Sequence, residues 1–283
     1  MELGRMMRKS MSSAELARMP SFTTGRPRIA YEAEGHGAAI IFIHGIGGDR
    51  SNWDRQMAHF GDRYRVISLD VRGYGESDNF DGSLTFDAMA ADVAAVLDAE
   101  NVDRAHLVGL SMGGMIAQWF WHRHPERVTS LTLADSTVGP AASLTEEQLD
   151  AFLESRRAPL LAGATMAEIA ERNTPSLLSE DAAPELLVEA RASFAGVPAT
   201  TYLRSLECVT RFAGVPDFGA MTVPVLVMVG ESDRSLPVPL SRELAAKIPS
   251  AELHIIEGAG HLSNMETPGR FNRLLEDFLA AQG

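Results

Sequence analysis

Six short apolar runs alternate with helix-like segments along this chain, and that alternation limits the folds it can adopt. The runs cover residues 38–44, 64–69, 105–110, 128–133, 223–229 and 252–256. Helical patterns lie between them at 85–99, 112–124, 239–248 and 265–281. Because the runs are almost continuously apolar, we expect strands buried on both faces, as in a parallel sheet covered by helices. The sequence therefore predicts an α/β fold with a mostly parallel, doubly wound sheet.

The stretch from 140 to 218 interrupts this rhythm. It contains no convincing strand, and its helical patterns at 145–157 and 183–195 are separated by prolines. The strand pattern resumes at Val223. We therefore interpret residues 140–218 as a helical cap inserted into a core formed by residues 25–139 and 219–283. Residues 1–24 are interpreted as an N-terminal tail.

Charge and cysteine content exclude several classes of partner. Lys and Arg total 25 against 38 Asp and Glu, a net charge of −13. Nucleic acids and anionic membranes select clustered basic residues, so neither is expected as a partner. With Cys208 as the only cysteine, an intramolecular disulfide and a site of several thiolates are both excluded.

The expected location follows from two further features. No apolar run approaches the roughly 20 residues of a membrane-spanning helix. The charged, Met-rich N-terminus has no apolar segment of the kind found in secretory signals. We expect a cytoplasmic protein, and its homo-oligomerisation is left open.

Residues 109–113 read GLSMG and lie between the third apolar run and a helical pattern. A G-x-S-x-G sequence in this strand–turn–helix setting is typical of a nucleophilic serine on a sharp turn. Small residues flank such a turn because the strand and helix backbones approach closely. The hydroxyl is expected at the carboxyl end of the sheet, near the positive end of the helix. We predict Ser111 as a nucleophile.

A serine hydroxyl needs an adjacent base, and the base needs a third group to orient it. His261 follows the last apolar run in a glycine-rich loop, and Asp233 follows the fifth run. Both positions lie at the predicted carboxyl edge of the sheet. We predict His261 as the general base and Asp233 as the orienting acid. Asp135, which directly follows the fourth run, is the alternative acid.

Residues 44–48 read HGIGG and follow the first run. Glycines here would let the backbone approach a substrate carbonyl, and the N–H groups of Ile46 and Met112 are the predicted oxyanion-hole donors. Gly47 is the alternative to Ile46. Nucleotide binding is not expected, because Arg50 occupies the position where a dinucleotide fingerprint needs its third glycine.

With these motifs assembled, the chain resembles the α/β-hydrolase superfamily from about Pro27 onward. The resemblance rests on His44-Gly45 with Trp53, on the segment 70–78 (DVRGYGESD), on GLSMGG at 109–114, and on the Asp233 and His261 loops with Glu266 and Pro268 following. Residues 109–119 and the later HPERV are most similar to 3-oxoadipate enol-lactonases and small carboxylesterases. The resemblance implies a Ser-Asp-His triad and no metal or organic cofactor.

The predicted function is that of a serine hydrolase that cleaves a small-molecule carboxylic ester or lactone through an acyl-enzyme. A carbon–carbon bond hydrolase and a perhydrolase or haloperoxidase could use the same triad. A non-catalytic small-molecule receptor is the alternative outside enzymes. Dehalogenases and epoxide hydrolases of this fold carry Asp where this chain has Ser111, so a carboxylate-ester intermediate is not expected.

The substrate pocket is expected between Ser111 and the cap. The predicted lining residues are Trp53, Phe152, Met166, Phe194 and Tyr202. Four arginines of the cap could meet a substrate carboxylate through paired hydrogen bonds. They are Arg156, Arg157, Arg204 and Arg211.

Overall fold

An eight-stranded sheet forms the centre of the molecule in a computed structural model, which describes residues 19–282. Its strands are β1 (Ser21–Phe22), β2 (Ala30–Glu34), β3 (Ala39–Ile43), β4 (Arg65–Leu69), β5 (Ala105–Leu110), β6 (Val128–Ala134), β7 (Val225–Gly230) and β8 (Ala251–Ile256). The spatial order is β1-β2-β4-β3-β5-β6-β7-β8. Strands β3 to β8 are parallel to one another, and β1 and β2 pair antiparallel at one edge.

Helices cover both faces of this sheet. They are α1 (Asp54–Phe60), α2 (Phe86–Ala99), α3 (Met112–Arg123), α4 (Glu146–Leu161), α5 (Met166–Asn173), α6 (Pro184–Gly196), α7 (Ala199–Thr210), α8 (Val238–Lys247), α9 (Ser263–Glu266) and α10 (Pro268–Ala280). Side chains alternate along a strand. Ile41 and Ile43 of β3 therefore pack in the core layer of α2 and α3, while Ile40 and Phe42 pack in the layer of α1 and α10.

The predicted α/β architecture is confirmed, and the six apolar runs correspond to β3 through β8 within one or two residues. The sequence analysis did not identify β2, whose sequence AYEAE is half polar because it lies near the sheet edge. Ser21 and Phe22, assigned to the tail, pair with β2 as the edge strand β1. The remainder of the predicted tail, residues 1–18, lies outside the described residues.

The segment between β6 and β7 is helical. Within it, α4 to α7 follow one another with no intervening strand in the described chain. Helices α4 and α5 each begin with a reciprocal cap, in which Thr145 pairs with Gln148 and Thr165 with Glu168. We refer to residues 140–218 as the insertion. Across residues 19–282, no helix combines the length and the apolar character needed to cross a bilayer.

Trp53 belongs to the core, which corrects its prediction as a pocket residue. Its side chain is fully buried, stacks on Phe42 at a ring-centroid distance of 5.0 Å and lies 6.1 Å from Phe271. It fills the core layer between the sheet and α10. Phe152, another predicted pocket residue, lies on the outer side of α4 and is 41% exposed.

We expect Trp53→Ala to lower the free energy of unfolding by about 3–5 kcal/mol, because removal of a fully buried indole leaves a cavity. The matched control Phe152→Ala should change it by less than about 0.5 kcal/mol, since that ring is largely in solvent. Urea denaturation followed by circular dichroism measures both values. Equal stability losses in the two variants would contradict the assignment of Trp53 to the core.

Candidate active site

Ser111 occupies a strained turn between β5 and α3. Its backbone has φ 55° and ψ −115°, in the left-handed half of conformational space that side-chain-bearing residues rarely adopt. A Cβ on Gly109 would lie 2.2 Å from the Gly113 carbonyl oxygen, and one on Gly113 would lie 2.0 Å from the carbonyl oxygen of Ile43. Only glycine fits at either position, so the backbones of β3, β5 and α3 meet at this turn.

The end of β6 fixes the turn from one side. The N–H of Ser111 donates to the carbonyl of Ala134 over 2.9 Å, and the Ser136 hydroxyl donates to the carbonyl of Ser111 over 2.9 Å. A Cβ on Gly114 would lie 2.6 Å from the Ser136 side chain. The serine is therefore held by backbone packing and by hydrogen bonds to a neighbouring strand.

His261 and Asp233 form a buried pair at the same edge of the sheet. The distance between His261 Nδ1 and Asp233 Oδ2 is 2.8 Å. Asp233 Oδ1 accepts the N–H groups of Ser235 and Leu236 at 2.8 and 2.9 Å, which fixes the plane of the carboxylate. Because an ionised carboxylate can only accept, the Nδ1 of His261 carries the proton and its Nε2 is left to accept one.

The two groups shift each other's pKa. Burial disfavours the imidazolium of His261, but the charge and hydrogen bond of Asp233 outweigh burial and hold the pKa of His261 above its ordinary value. Burial likewise favours the neutral form of Asp233, yet His261 and two backbone N–H groups hold the pKa of that carboxyl below its usual range. The imidazole of His261 can therefore hold a proton next to the ionised carboxylate of Asp233.

Asp135, the other acid that the sequence left open, makes different contacts. Its Oδ1 accepts the N–H of Gly230 at 2.8 Å, and its Oδ2 lies 2.5 Å from the hydroxyl of Ser263. Burial, reinforced by the negative charge of Asp233, raises the pKa of Asp135 to about 8. Of the two acids, Asp233 is the one that is hydrogen-bonded to His261.

The loop at 44–48 lies beside Ser111. His44 is fully buried, and its ring is bonded at both nitrogens, to the Gly45 carbonyl at 2.8 Å and to the Val71 N–H at 3.0 Å. Burial lowers the pKa of His44, so the neutral ring donates from Nδ1 and accepts at Nε2. The N–H of Gly48 donates to Gly45, whereas in the described chain neither Ile46 nor Gly47 donates to a backbone carbonyl.

Met112 supplies a second backbone donor. It is the first residue of α3, and the N–H groups of a first helical turn have no acceptor within the helix. An ideal Cβ on Gly45 would lie 3.0 Å from the Cβ of Ser111, so the glycine loop and the serine are in contact. The glycine loop and the first turn of α3 therefore both lie next to the serine.

Ser111 and His261 line one small cavity of about 20 Å³, which has room for roughly one water molecule. The loop at 45–48 and Leu110 form part of its wall. The remaining lining residues are Asn52, Leu177, Ala190, Phe194 and Leu262. The lining is mostly apolar, and Ser111, His261 and Asn52 are its polar side chains.

The predicted lining residues separate into three groups. Phe194 borders the cavity, and Tyr202 lies behind it at a ring-centroid distance of 5.5 Å. Met166 packs against the main core without bordering the cavity, and Trp53 and Phe152 lie elsewhere.

Sequence reasoning missed several lining residues. Asn52 directly precedes Trp53 within a recognisable motif, so its position could have been noticed. Leu177 and Ala190 lie in the insertion, where no motif marks them.

The four arginines proposed to meet a substrate carboxylate do not border the cavity. Arg211 pairs with Glu146 and Asp150 at 2.8 Å each, on the outside of the insertion. Arg204 donates to the carbonyl of Phe80 at 2.7 Å. Arg156 lies over the exposed ring of Phe152, and Arg157 is likewise absent from the lining.

The insertion covers the site through two sets of contacts. Helix α6 packs on the glycine loop, where the Ser193 hydroxyl donates to the carbonyl of Gly47 at 2.9 Å, and a Cβ on Gly47 would lie 2.2 Å from the Phe194 ring. On the other side, the N–H of His261 donates to the carbonyl of Leu177 at 2.9 Å. In the described part of the chain, no three His, Cys, Asp or Glu side chains gather as metal ligands would.

Comparisons with known proteins agree with the observed fold. A family model described as alpha/beta hydrolase fold matches residues 38–268. The chain is 31% identical to 3-oxoadipate enol-lactonase 2 of Acinetobacter baylyi over 243 residues, which cover 84% of this chain and 87% of that protein.

Two further proteins resemble the chain over most of its length. A 2-hydroxy-6-oxononadienedioate/2-hydroxy-6-oxononatrienedioate hydrolase of Burkholderia vietnamiensis is 31% identical over 269 residues, 89% of this chain and 91% of that protein. The solved structure of a thermophilic esterase from Thermogutta terrifontis matches with a TM-score of 0.81 and 29% identity, covering 93% of this chain and 98% of that one.

We expect Asp233→Asn to lower the pKa of His261. The variant loses the charge that raises this pKa, while burial of the imidazole, which lowers it, is retained. An NMR titration of the His261 ring nitrogens measures the shift, with the exposed neighbour Glu231→Gln as the matched control. A pKa that is unchanged in Asp233→Asn but lowered in Asp135→Asn would assign the orienting role to Asp135.

Proposed function

Because the chain belongs to the α/β-hydrolase fold family, we propose that it is a serine hydrolase that cleaves a carboxylic ester or a lactone through an acyl-enzyme. The observation that carries this proposal is the 2.8 Å hydrogen bond between His261 and Asp233, in a cavity that His261 shares with the strained Ser111. A serine, a base and a fixed acid are the groups that nucleophilic acyl transfer requires.

In the proposed first half-reaction, the Ser111 hydroxyl attacks the substrate carbonyl while Nε2 of His261 takes its proton. Asp233 stabilises the imidazolium that forms and keeps the ring in the required tautomer. The N–H groups of Ile46 and Met112 receive the oxyanion, which also lies at the positive end of α3. His261 then gives its proton to the leaving alcohol, or to the ring oxygen of an opened lactone.

In the second half-reaction, His261 takes a proton from water, and the resulting hydroxide attacks the acyl-serine carbonyl. The same two backbone donors receive the second oxyanion. Collapse of that intermediate releases the carboxylic acid and returns the proton from His261 to Ser111. Every step uses groups that the chain itself supplies.

The lining of the cavity favours a neutral substrate. The names of the Burkholderia relative's substrates describe them as dioates, which carry two carboxylates. Buried carboxylates need a cation or several donors. Among residues 19–282, no basic side chain other than His261 borders the cavity, and the four candidate arginines lie elsewhere. We therefore favour an uncharged ester or lactone over the acidic substrate of a carbon–carbon bond hydrolase.

Substrate entry requires the insertion to move. A cavity for about one water molecule cannot hold an ester, so Phe194 and α6 must withdraw from the glycine loop. An ion pair between Arg55 of α1 and Glu189 of α6 helps to attach α6 to the core, and the two side chains are 34% and 37% exposed. Such an exposed pair contributes at most about 1 kcal/mol, so the Ser193 hydrogen bond and the buried Phe194 ring are the main contacts that opening must break.

We expect Ser111→Ala to lower kcat/KM for p-nitrophenyl acetate by at least about 10³-fold, because the variant has no nucleophile. The matched control is Ser155→Ala, which removes an exposed hydroxyl on α4 and should leave turnover unchanged. Release of p-nitrophenolate measures the rate, and lactone opening is followed by proton release. Turnover that survives in Ser111→Ala would refute the acyl-enzyme. Ligand binding without turnover by the wild type would favour the receptor alternative.

We expect Phe194→Ala to shift the preference toward longer acyl chains, because the removed ring is the bulky side chain between α6 and the glycine loop. Relative to acetate, kcat/KM for p-nitrophenyl octanoate should rise by about ten-fold, the usual scale for reshaping an apolar pocket. Val188→Ala, at a position 67% exposed on the same helix, should not alter the chain-length profile. An unchanged profile in Phe194→Ala would place the acyl chain elsewhere.

A further inference from the structure

Asp135 is a buried carboxyl that the proposed mechanism does not use. It directly follows β6, is inaccessible to solvent and has φ 46°. A non-glycine residue in this left-handed region costs free energy, so the surrounding contacts must hold it there. Its backbone N–H donates to the carbonyl of Met228 in β7 at 2.8 Å, which anchors the main chain of Asp135 to that strand.

The side chain of Asp135 joins the loop of the acid to the loop of the base. Oδ1 accepts the N–H of Gly230, where the chain leaves β7 toward Asp233. Oδ2 is hydrogen-bonded to the hydroxyl of Ser263, two residues beyond His261 and the first residue of α9. One carboxyl group therefore spans the two loops whose separation sets the distance between His261 and Asp233.

The neighbours of Asp135 hold the nucleophile. Ala134 accepts the N–H of Ser111, and the hydroxyl of Ser136 donates to the carbonyl of Ser111. The tripeptide 134–136 thus touches all three loops of the proposed triad. Its two outer residues fix the serine, and its central residue fixes the acid and the base.

The charged groups that face Asp135 are Asp233 and His261. In the described chain no arginine or lysine pairs with Asp135, and it has no access to water. A buried carboxylate without a cation and near a second carboxylate retains its proton, and the pKa of Asp135 is raised to about 8 accordingly. Its two hydrogen bonds are compatible with a protonated carboxyl, which can accept at one oxygen and share a proton with Ser263 at the other.

We propose that Asp135 is a positioning residue that, as a neutral acid, holds the Asp233 and His261 loops in register with Ser111. This inference rests on the proposed function for its catalytic consequence. Ionisation of Asp135 would put a second buried negative charge beside the Asp233–His261 pair, and the hydrogen bonds from Gly230 and Ser263 would offset only part of its cost. Two carboxylates side by side in a buried place repel each other, so the site should become less stable and less active as Asp135 loses its proton.

The sign of the effect on stability follows from linkage. Asp135 binds its proton more tightly in the folded chain than in the unfolded one, so its contribution to stability is complete below the ordinary aspartate range. That contribution falls as the pH rises toward about 8. Asparagine mimics the neutral acid, since its oxygen can accept from Gly230 and its NH₂ can donate to Ser263, and it removes this pH dependence.

The test compares Asp135→Asn with the wild type in two pH series. The first is kcat/KM for p-nitrophenyl acetate between about pH 5 and pH 9.5. At neutral pH we expect activity within about three-fold of the wild type. The activity of the wild type should fall above pH 8, whereas that of Asp135→Asn should not. The decrease of kcat/KM at low pH, which reports protonation of His261, should occur at the same pH in the two proteins.

The second series is an NMR titration of His261, which does not depend on turnover. We expect an inflection near pH 8 in the wild type from ionisation of Asp135, and its absence in Asp135→Asn. Ser263→Ala, which removes one partner and retains the acid, should lower kcat for p-nitrophenyl acetate and leave its KM unchanged.

Two outcomes would overturn the inference. If Asp135→Asn moves the low-pH decrease of kcat/KM and the His261 titration to lower pH, Asp135 is ionised in the wild type at neutral pH. If the variant and the wild type coincide throughout, including above pH 8, the site does not depend on a proton held by Asp135, and its role as a neutral acid is refuted. A wild type that hydrolyses no ester or lactone refutes the proposed function alone, because the His261 titration still decides the state of Asp135.

Discussion

The contact between the backbones of β3, β5 and α3 is the constraint on which the site depends. Because no Cβ can be accommodated at Gly109 or Gly113, the chain turns within one residue from strand to helix, and Ser111 adopts a left-handed backbone at the turn. Such strain persists only where the surroundings over-determine it. Here the parallel strands, buried on both faces, supply that rigidity, and the hydrogen bonds from the end of β6 lock the serine in place.

Around that turn, burial gives two neighbouring carboxyls different charges. Asp233 is bonded to an imidazole and to two backbone N–H groups, which favour its ionised form, whereas Asp135 has one backbone donor and one hydroxyl and pairs with no Arg or Lys of residues 19–282. Two carboxylates could not both remain charged at low cost in such a place. The insertion strengthens these differences because it covers the cavity, and electrostatic interactions are stronger where bulk water is excluded.

Most of the strands and the three residues of the proposed triad could be predicted from the sequence, and the predictions that failed have physical reasons. The apolar runs identify β3 to β8 because these strands are mostly apolar, and β3, β5 and β7 are buried along their whole length, whereas β2, next to the edge strand β1, carries two glutamates in five residues. The spacing of motifs brings Ser111, Asp233 and His261 to one edge, but only coordinates distinguish Asp233 from Asp135, since both follow adjacent strands. An aromatic residue is apolar in a core and in a pocket alike, so Trp53 was assigned to the wrong one. The positions of Leu177 and Ala190 at the cavity depend on how the insertion packs on the core, and no local sequence pattern predicts that packing.

The insertion touches the catalytic edge at two separate places and with different chemistry. Near His261 it offers a main-chain carbonyl, at Leu177, which any residue could supply, whereas at the glycine loop it offers particular side chains from α6. Residues 140–218 therefore hydrogen-bond to the core through the main chain near His261 and through a particular side chain at the glycine loop. A chimera that carried a foreign insertion on this core could keep the hydrogen bond to His261 through its backbone, but it would have to replace the apolar contacts of Leu178 and Leu186 with Met265. The substrate selectivity of the chimera would then depend chiefly on the few side chains that contact the glycine loop.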